Sequence, residues 1–213
     1  MSRLARFAVA AILIAVPAAA RAQQNGADLD YNALTKAPAG AWAEYTMTMK
    51  NMPPGPDGKP AKPMKMRYAL VDKTPKLLTI EIDTATPMGE IQVQMKYEPA
   101  GPEAWKVASG KMRMGTQTME LQKAQIEKSG QVTKDPNAMG KLLGTESVKT
   151  PAGTFECRHY SKTVQDQSGA SLVVEMWISD KVQPAGMVKS VAKDKGIEVL
   201  LAATGKDATA KMK

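Results

Sequence analysis

The chain has one cysteine, one histidine and two phenylalanines among its 213 residues, and each scarcity removes a class of explanation. With Cys157 alone, no disulfide can form within the chain, so stability must come from burial and backbone hydrogen bonding. With His159 as the sole histidine, a zinc site of the usual kind, built from three or four His, Cys and carboxylate ligands, lacks its raw material. Serine-hydrolase chemistry would need a Gly-x-Ser-x-Gly elbow, which the sequence does not contain, and would leave His159 as the only base. Phosphate-cradling glycine loops are missing too, since Gly101, Gly110 and Gly115 fall at turns with no helix pattern after them. Carboxylates at alternate positions, such as Glu81 and Asp83, are what a solvated strand face carries. No enzyme activity, catalytic residue, resident metal or cofactor is therefore expected. Aromatics make up only 5%, and the basic residues behind the net charge of +8 are not interleaved with them, which argues against nucleic acid as a partner.

Long apolar runs are also scarce, and the one that exists lies at the start. Arg3 and Arg6 form a basic opening, Phe7 to Val16 an apolar stretch, and Ala20-Arg21-Ala22 a small-residue ending of the kind a signal peptidase reads. The stretch is too short for a permanent bilayer helix, which needs about 20 residues. Residues 1–22 are thus predicted to be a signal peptide removed after Ala22, leaving a mature chain without a transmembrane segment. No cysteine follows the cleavage point to carry a lipid. The expected location is the bacterial periplasm or the medium outside the cell. Loss of Arg3, Arg6 and Arg21 leaves a charge of about +5, enough for mild attraction to anionic surfaces at most.

What the mature chain has in quantity is alternation of period two. In Glu90 to Tyr97, Ile91, Val93, Met95 and Tyr97 fall on one face and Glu90, Gln92, Gln94 and Lys96 on the other. The same pattern marks Ala43 to Lys50, Met64 to Val71 and Leu77 to Thr84. Their expected inward sets are Tyr45, Met47 and Met49; Met66, Tyr68 and Leu70; Leu78, Ile80 and Ile82. Further strands are expected at Lys111 to Met114, Thr118 to Lys128, Glu146 to Lys149, Thr154 to Val164, Ser171 to Ile178, Met187 to Lys193 and Ile197 to Ala203. Thr150-Pro151-Ala152-Gly153 and Asp194-Lys195-Gly196 read as turns, and Met52 to Pro63, with five prolines, as a projecting loop. Short helices are expected at Asp28 to Lys36 and from Asp135 through Leu143. In Thr154 to Val164, Phe155, Cys157 and His159 share one face, expected to be the covered one, with Glu156, Arg158 and Tyr160 outward. The fold class this predicts is all-β with minor α: a single large curved antiparallel sheet, a half-barrel, spanning residues 23–205, followed by a flexible basic tail at 206–213.

Methionine is the other abundance, with 15 in the chain. Met47, Met49 and Met52, then Met64 and Met66, then Met112 and Met114 repeat a Met-x-Met spacing that puts two thioethers on one strand face. Three readings stay open: adaptable core filling, the lining of an apolar pocket, or thioether ligation of copper(I) or silver(I), for which soft sulfur is suited.

A more specific pattern runs from Gly144 to Lys189: Gly144-Thr145-Glu146-Ser147-Val148-Lys149-Thr150-Pro151-Ala152-Gly153-Thr154-Phe155-Glu156-Cys157, then Met176-Trp177-Ile178-Ser179, then Pro184-Ala185-Gly186-Met187-Val188-Lys189. This order resembles uncharacterised exported bacterial proteins, which in turn are similar to the LolA and LolB half-barrel superfamily of lipoprotein carriers. The resemblance implies a curved antiparallel sheet around an apolar concavity closed by short helices. It assigns no carrier-type arginine to Arg67, Arg113 or Arg158.

The expected function is that of an exported, non-enzymatic binding protein. It would hold an apolar or lipid-like ligand, or a hydrophobic segment of an envelope protein, against Met47, Met49, Met66, Leu70, Ile80, Ile82, Ile91, Val93 and Met95. The alternatives are a methionine-rich soft-metal binder, with Cys157 or His159 contributing, and a structural or interaction module of the cell envelope.

Overall fold

Alternation becomes a ladder in the computed structural model, which describes residues 29–50, 62–86, 89–128, 131–165 and 169–212. The predicted signal peptide and most of the proline-rich loop lie outside these residues. Twelve strands form one sheet: β1 (Trp42–Met49), β2 (Met64–Thr74), β3 (Leu77–Thr86), β4 (Gly89–Pro99), β5 (Ala104–Met114), β6 (Gln117–Glu120), β7 (Gln131–Thr133), β8 (Lys141–Thr150), β9 (Gly153–Gln165), β10 (Ser171–Ile178), β11 (Met187–Ala192) and β12 (Ile197–Gly205). Their spatial order is β6-β5-β4-β3-β2-β1-β12-β11-β10-β9-β8, with β7 also on β5, and the sheet is open rather than closed. All pairings are antiparallel. Two meanders therefore meet at a seam where β1 pairs with β12, from Trp42 opposite Gly205 to Met49 opposite Ile197. The architecture is the all-β class with minor α that the alternation predicts.

Turn chemistry acts where the sequence placed it. At the β8–β9 turn the Thr150 hydroxyl donates to the Gly153 carbonyl and accepts from the Ala152 N–H, and Gly153 takes a positive φ of 136°. Gly196, at 62°, closes the turn after Lys193–Lys195 in a left-handed conformation that costs glycine little.

Among the described residues two α-helices accompany the sheet. Helix α1 (Tyr31–Lys36) begins at Asp30, whose carboxylate accepts the Ala33 N–H at 2.8 Å, so the cap lies two residues after the predicted start. Its Ala33 and Leu34 are fully buried. Lys73 on β2 donates to the Thr35 and Ala37 carbonyls at 2.6 and 2.8 Å, satisfying the helix's last acceptors. Helix α2 (Lys123–Lys128) replaces most of the strand expected at Thr118 to Lys128. Only Gln117–Glu120 pairs with β5; Leu121 then folds back onto Gly110, and an alternating polar pattern offered no means of seeing this.

Three further expectations are corrected. The helix expected from Asp135 to Leu143 is a single 3-10 turn, Pro136–Met139, capped by Asp135; Leu142 and Leu143 lie on β8 and are 55% and 48% exposed. Gly140, at φ 97°, ends the turn, and pairing with β9 captures the chain from Lys141 onward. Both faces of β9 are covered in part: Cys157 is 1% exposed, as expected of a packed cysteine, but Tyr160, expected outward, is 4% exposed. Tyr160 pairs with Met176 and Arg158 with Ile178, whereas Phe155, Cys157 and His159 share the opposite face with Trp177, which pairs with His159. Alternation separates the two sets of residues without saying which faces inward. Lastly, the segment after Gly205, expected to be loose, crosses the sheet's polar face, and its Met212 is only 4% exposed. Its anchors are backbone N–H groups and a lysine, to which hydrophobic periodicity is blind.

Candidate binding surface

Strand register brings the nine predicted lining residues onto one face. Successive rows across the sheet run Tyr45–Met66–Thr84–Ile91–Met114, Ala43–Tyr68–Ile82–Val93–Met112, and Leu70–Ile80–Met95–Gly110, with Met47 opposite Met64 beside the first row. Eight of the nine are no more than 8% exposed, and Met49 is half-buried. By register the same face continues through Leu201, Val199 and Ile197 of β12 to Ala192 of β11, Met176 and Leu172 of β10 and Tyr160 of β9. Leu121 covers it at Gly110, where an added Cβ would lie 2.6 Å from the leucine's methyl, and Ile126 of α2 also packs on the core.

Sequence reasoning did not single out the polar atoms set into this face. Tyr45 is fully buried, donates its hydroxyl to the Met187 carbonyl at 2.9 Å and meets Tyr68 edge to face at 5.8 Å. Burial pushes the Tyr45 phenol well above its ordinary range. Arg158 donates to Asp30 at 2.9 Å, and that aspartate is buried. The partner that makes Arg158 useful lies 128 residues away, so spacing carried no signal of the pair.

The opposite face of β8–β11 carries the residues first considered for thiol or metal chemistry. His159 stacks on Trp177 with centroids 4.2 Å apart, its Nδ1 3.0 Å from Glu146 and its Nε2 3.3 Å from Glu175. The Trp177 indole N–H donates to Glu146 at 2.5 Å. A hydrogen bond from Lys193, followed by the proximity of His159, holds the Glu175 carboxyl below the usual carboxylate range. Cys157 is 1% exposed, and burial, then Glu156 and Glu146, push its thiol up to about 11. Among the described residues no group of three His, Cys, Asp or Glu side chains is placed to hold a metal ion. The thiolate fraction at pH 8 is on the order of 10⁻³ for such a thiol. Native protein held with iodoacetamide at pH 8 should therefore keep Cys157 unmodified for hours, while denatured protein is alkylated within minutes; equal rates by mass spectrometry would show that the site opens readily.

No helix among the described residues is long and apolar enough to cross a membrane. A family profile described as DUF3108-like matches residues 78–200. Among solved structures, the hypothetical protein CT021 from Chlamydia trachomatis is similar at 9% identity, with a TM-score of 0.48, over 85% of this chain and 95% of that one. No curated protein matches.

Proposed function

The chain belongs to the DUF3108-like family, and on this sheet we propose that it is an exported, non-enzymatic protein that holds an apolar or lipid-like guest against its concave face. What carries the reading is the continuity of that face: two of the three rows span β1 to β5 and the third β2 to β5, and four of the nine lining residues are methionines. Methionine keeps three rotatable bonds and a polarisable sulfur, so it repacks around guests of different shape at little cost. The covers over the face are short, a six-residue α1 and the Leu121–Lys128 segment. Because the lining residues are buried, uptake requires one of these covers to move. We assign the protein to the bacterial periplasm or exterior on its N-terminal pattern, and place it functionally beside half-barrel carriers of the LolA and LolB kind.

Native mass spectrometry of protein purified from the periplasm without detergent tests the proposal. A bound mass of lipid size, released on denaturation, is the expected result. A bare chain that also takes up nothing from a total lipid extract would overturn it.

A second reading is favoured by one feature. Met47 lies directly opposite Met64, with Met49 and Met66 on the same face, so two Met-x-Met groups are adjacent across one strand pair. That is a donor set suited to copper(I). Replacing all four by leucine keeps the burial and removes the sulfur; copper(I) affinity that survives the change excludes this reading.

A further inference from the structure

The polar side of β2–β5 carries an arrangement that no apolar-ligand function uses. After Gly205 the chain turns across this side and is held at two places. At the first, Ala208 donates its N–H to the Gly40 carbonyl at 2.9 Å, and Asp207 accepts the Trp42 indole N–H at 2.6 Å. At the second, the consecutive N–H groups of Lys211 and Met212 donate to the two oxygens of Glu81, at 2.8 and 3.0 Å. Gln94 donates to the Met212 carbonyl at 2.9 Å and to Glu81 at 2.8 Å, and Arg113 donates to the Lys211 carbonyl at 3.3 Å. The Lys211 ammonium lies 2.6 Å from Asp83 and 3.9 Å from Glu90. Thr209 and Ala210, between the two places, are exposed.

The second place has the properties of a binding site. Glu81 and Gln94 are 2% and 6% exposed, so the recognising groups sit in the sheet rather than on flexible stems. They read two consecutive backbone amides, one positive charge and one buried apolar side chain, which together define a lysine–apolar dipeptide. Nothing in that set depends on the dipeptide being joined to β12. Two carboxylates, Asp83 and Glu90, face the Lys211 ammonium, and the buried Asp83 Oδ1 has no hydrogen-bond partner, so the site has acceptor capacity beyond what its occupant uses.

We propose that this groove across β3–β5 recognises a segment of a partner protein in which lysine precedes an apolar residue, and that Lys211–Met212 is the resident occupant which such a segment displaces. The short tether from Ala208 gives the resident dipeptide a high effective concentration, so an incoming segment binds the intact chain more weakly than it binds a chain lacking the tail.

The test compares the full chain with a variant ending at Thr209, each titrated calorimetrically with a peptide copying residues 207–213. The truncated variant is expected to bind the peptide at least about tenfold more tightly than the full chain does, with the gain lost when the peptide lysine is replaced by alanine or Glu81→Gln is introduced. A truncated variant with native circular dichroism that binds no peptide at millimolar concentration would overturn the proposal. So would a concentration-dependent dimer of the full chain that truncation abolishes, since it assigns the groove to a second copy. If truncation unfolds the protein, Met212→Ala in the full chain loosens the occupant while keeping the tether. Peptide binding stronger than to the unmodified chain then supports the proposal, and unchanged weak binding overturns it.

Discussion

Gly186→Ala is expected to cost about 3 kcal/mol or more, from two causes that add. Gly186 has a φ of 82°, in the region that favours glycine, and alanine there bears a backbone penalty of about 1 kcal/mol. A Cβ at this position would also lie 2.5 Å from the Asp30 Cβ and 3.2 Å from the Ala33 Cβ. Neither atom is the end of a flexible side chain. Asp30 is tied to the Ala33 N–H at 2.8 Å and to Arg158 at 2.9 Å, and its own N–H donates to the Ala185 carbonyl at 3.0 Å. Relief requires the start of α1 to move away from the β10–β11 connection, carrying the fully buried Ala33 and Leu34 with it. Urea unfolding should show a lower midpoint at unchanged slope. Gly101→Ala serves as the comparison, because Gly101 has a φ of 126° with nothing within 4 Å of an added Cβ. If the two variants lose the same stability, the collision has relaxed at no cost and the junction is softer than its hydrogen bonds imply.

That junction also shows where sequence reading stops. The strands from Ala43 to Tyr97 were legible because each has one apolar set at period two, and register then places Tyr45, Met66, Ile82 and Val93 on the face their spacing required. The turns at Thr150–Gly153 and Gly196 were legible because glycine and proline chemistry is local. The face of β9 was not. Cys157 and Tyr160 are both buried, one on each face, and only pairing to Met176 and Ile178 puts Arg158 and Tyr160 on the face of the lining residues. Arg158 can sit there because Asp30 answers its charge. The docked tail was illegible for a related reason: Glu81 read as a solvated strand carboxylate, and its partners are two amide groups about 130 residues further along. On β9 and on the polar face of β3, long-range polar partners decide what alternation leaves open. Thr79 and Glu81 are as buried as Ile80 and Ile82, at 5% and 2% against 0% and 5%.

Ile80→Ala is expected to cost about 3 to 4 kcal/mol, the full penalty for a deep apolar truncation. Ile80 has no exposed surface and lies between Leu70 and Met95 in the row that ends at Gly110 beneath Leu121. The deleted atoms leave a void flanked by Leu70 and Met95, and strands paired on both sides of β3 resist collapse into it. Val173→Ala supplies the contrast: Val173 is 46% exposed on β10 and should cost no more than about 0.5 kcal/mol. The size of the Ile80 effect also bears on the proposed function. If the methionines lining this face keep enough freedom to repack around a guest, Met95 can swing toward the void, and the loss falls toward the transfer component alone, about 2 kcal/mol. A small apolar molecule added to the variant should then restore little. If the face is rigidly packed, the void persists, the full loss is seen, and the same molecule raises the unfolding midpoint with the logarithm of one plus its concentration over its dissociation constant. Denaturant unfolding of Ile80→Ala, with and without a benzene-sized guest, thus measures the adaptability on which a carrier with buried lining residues depends.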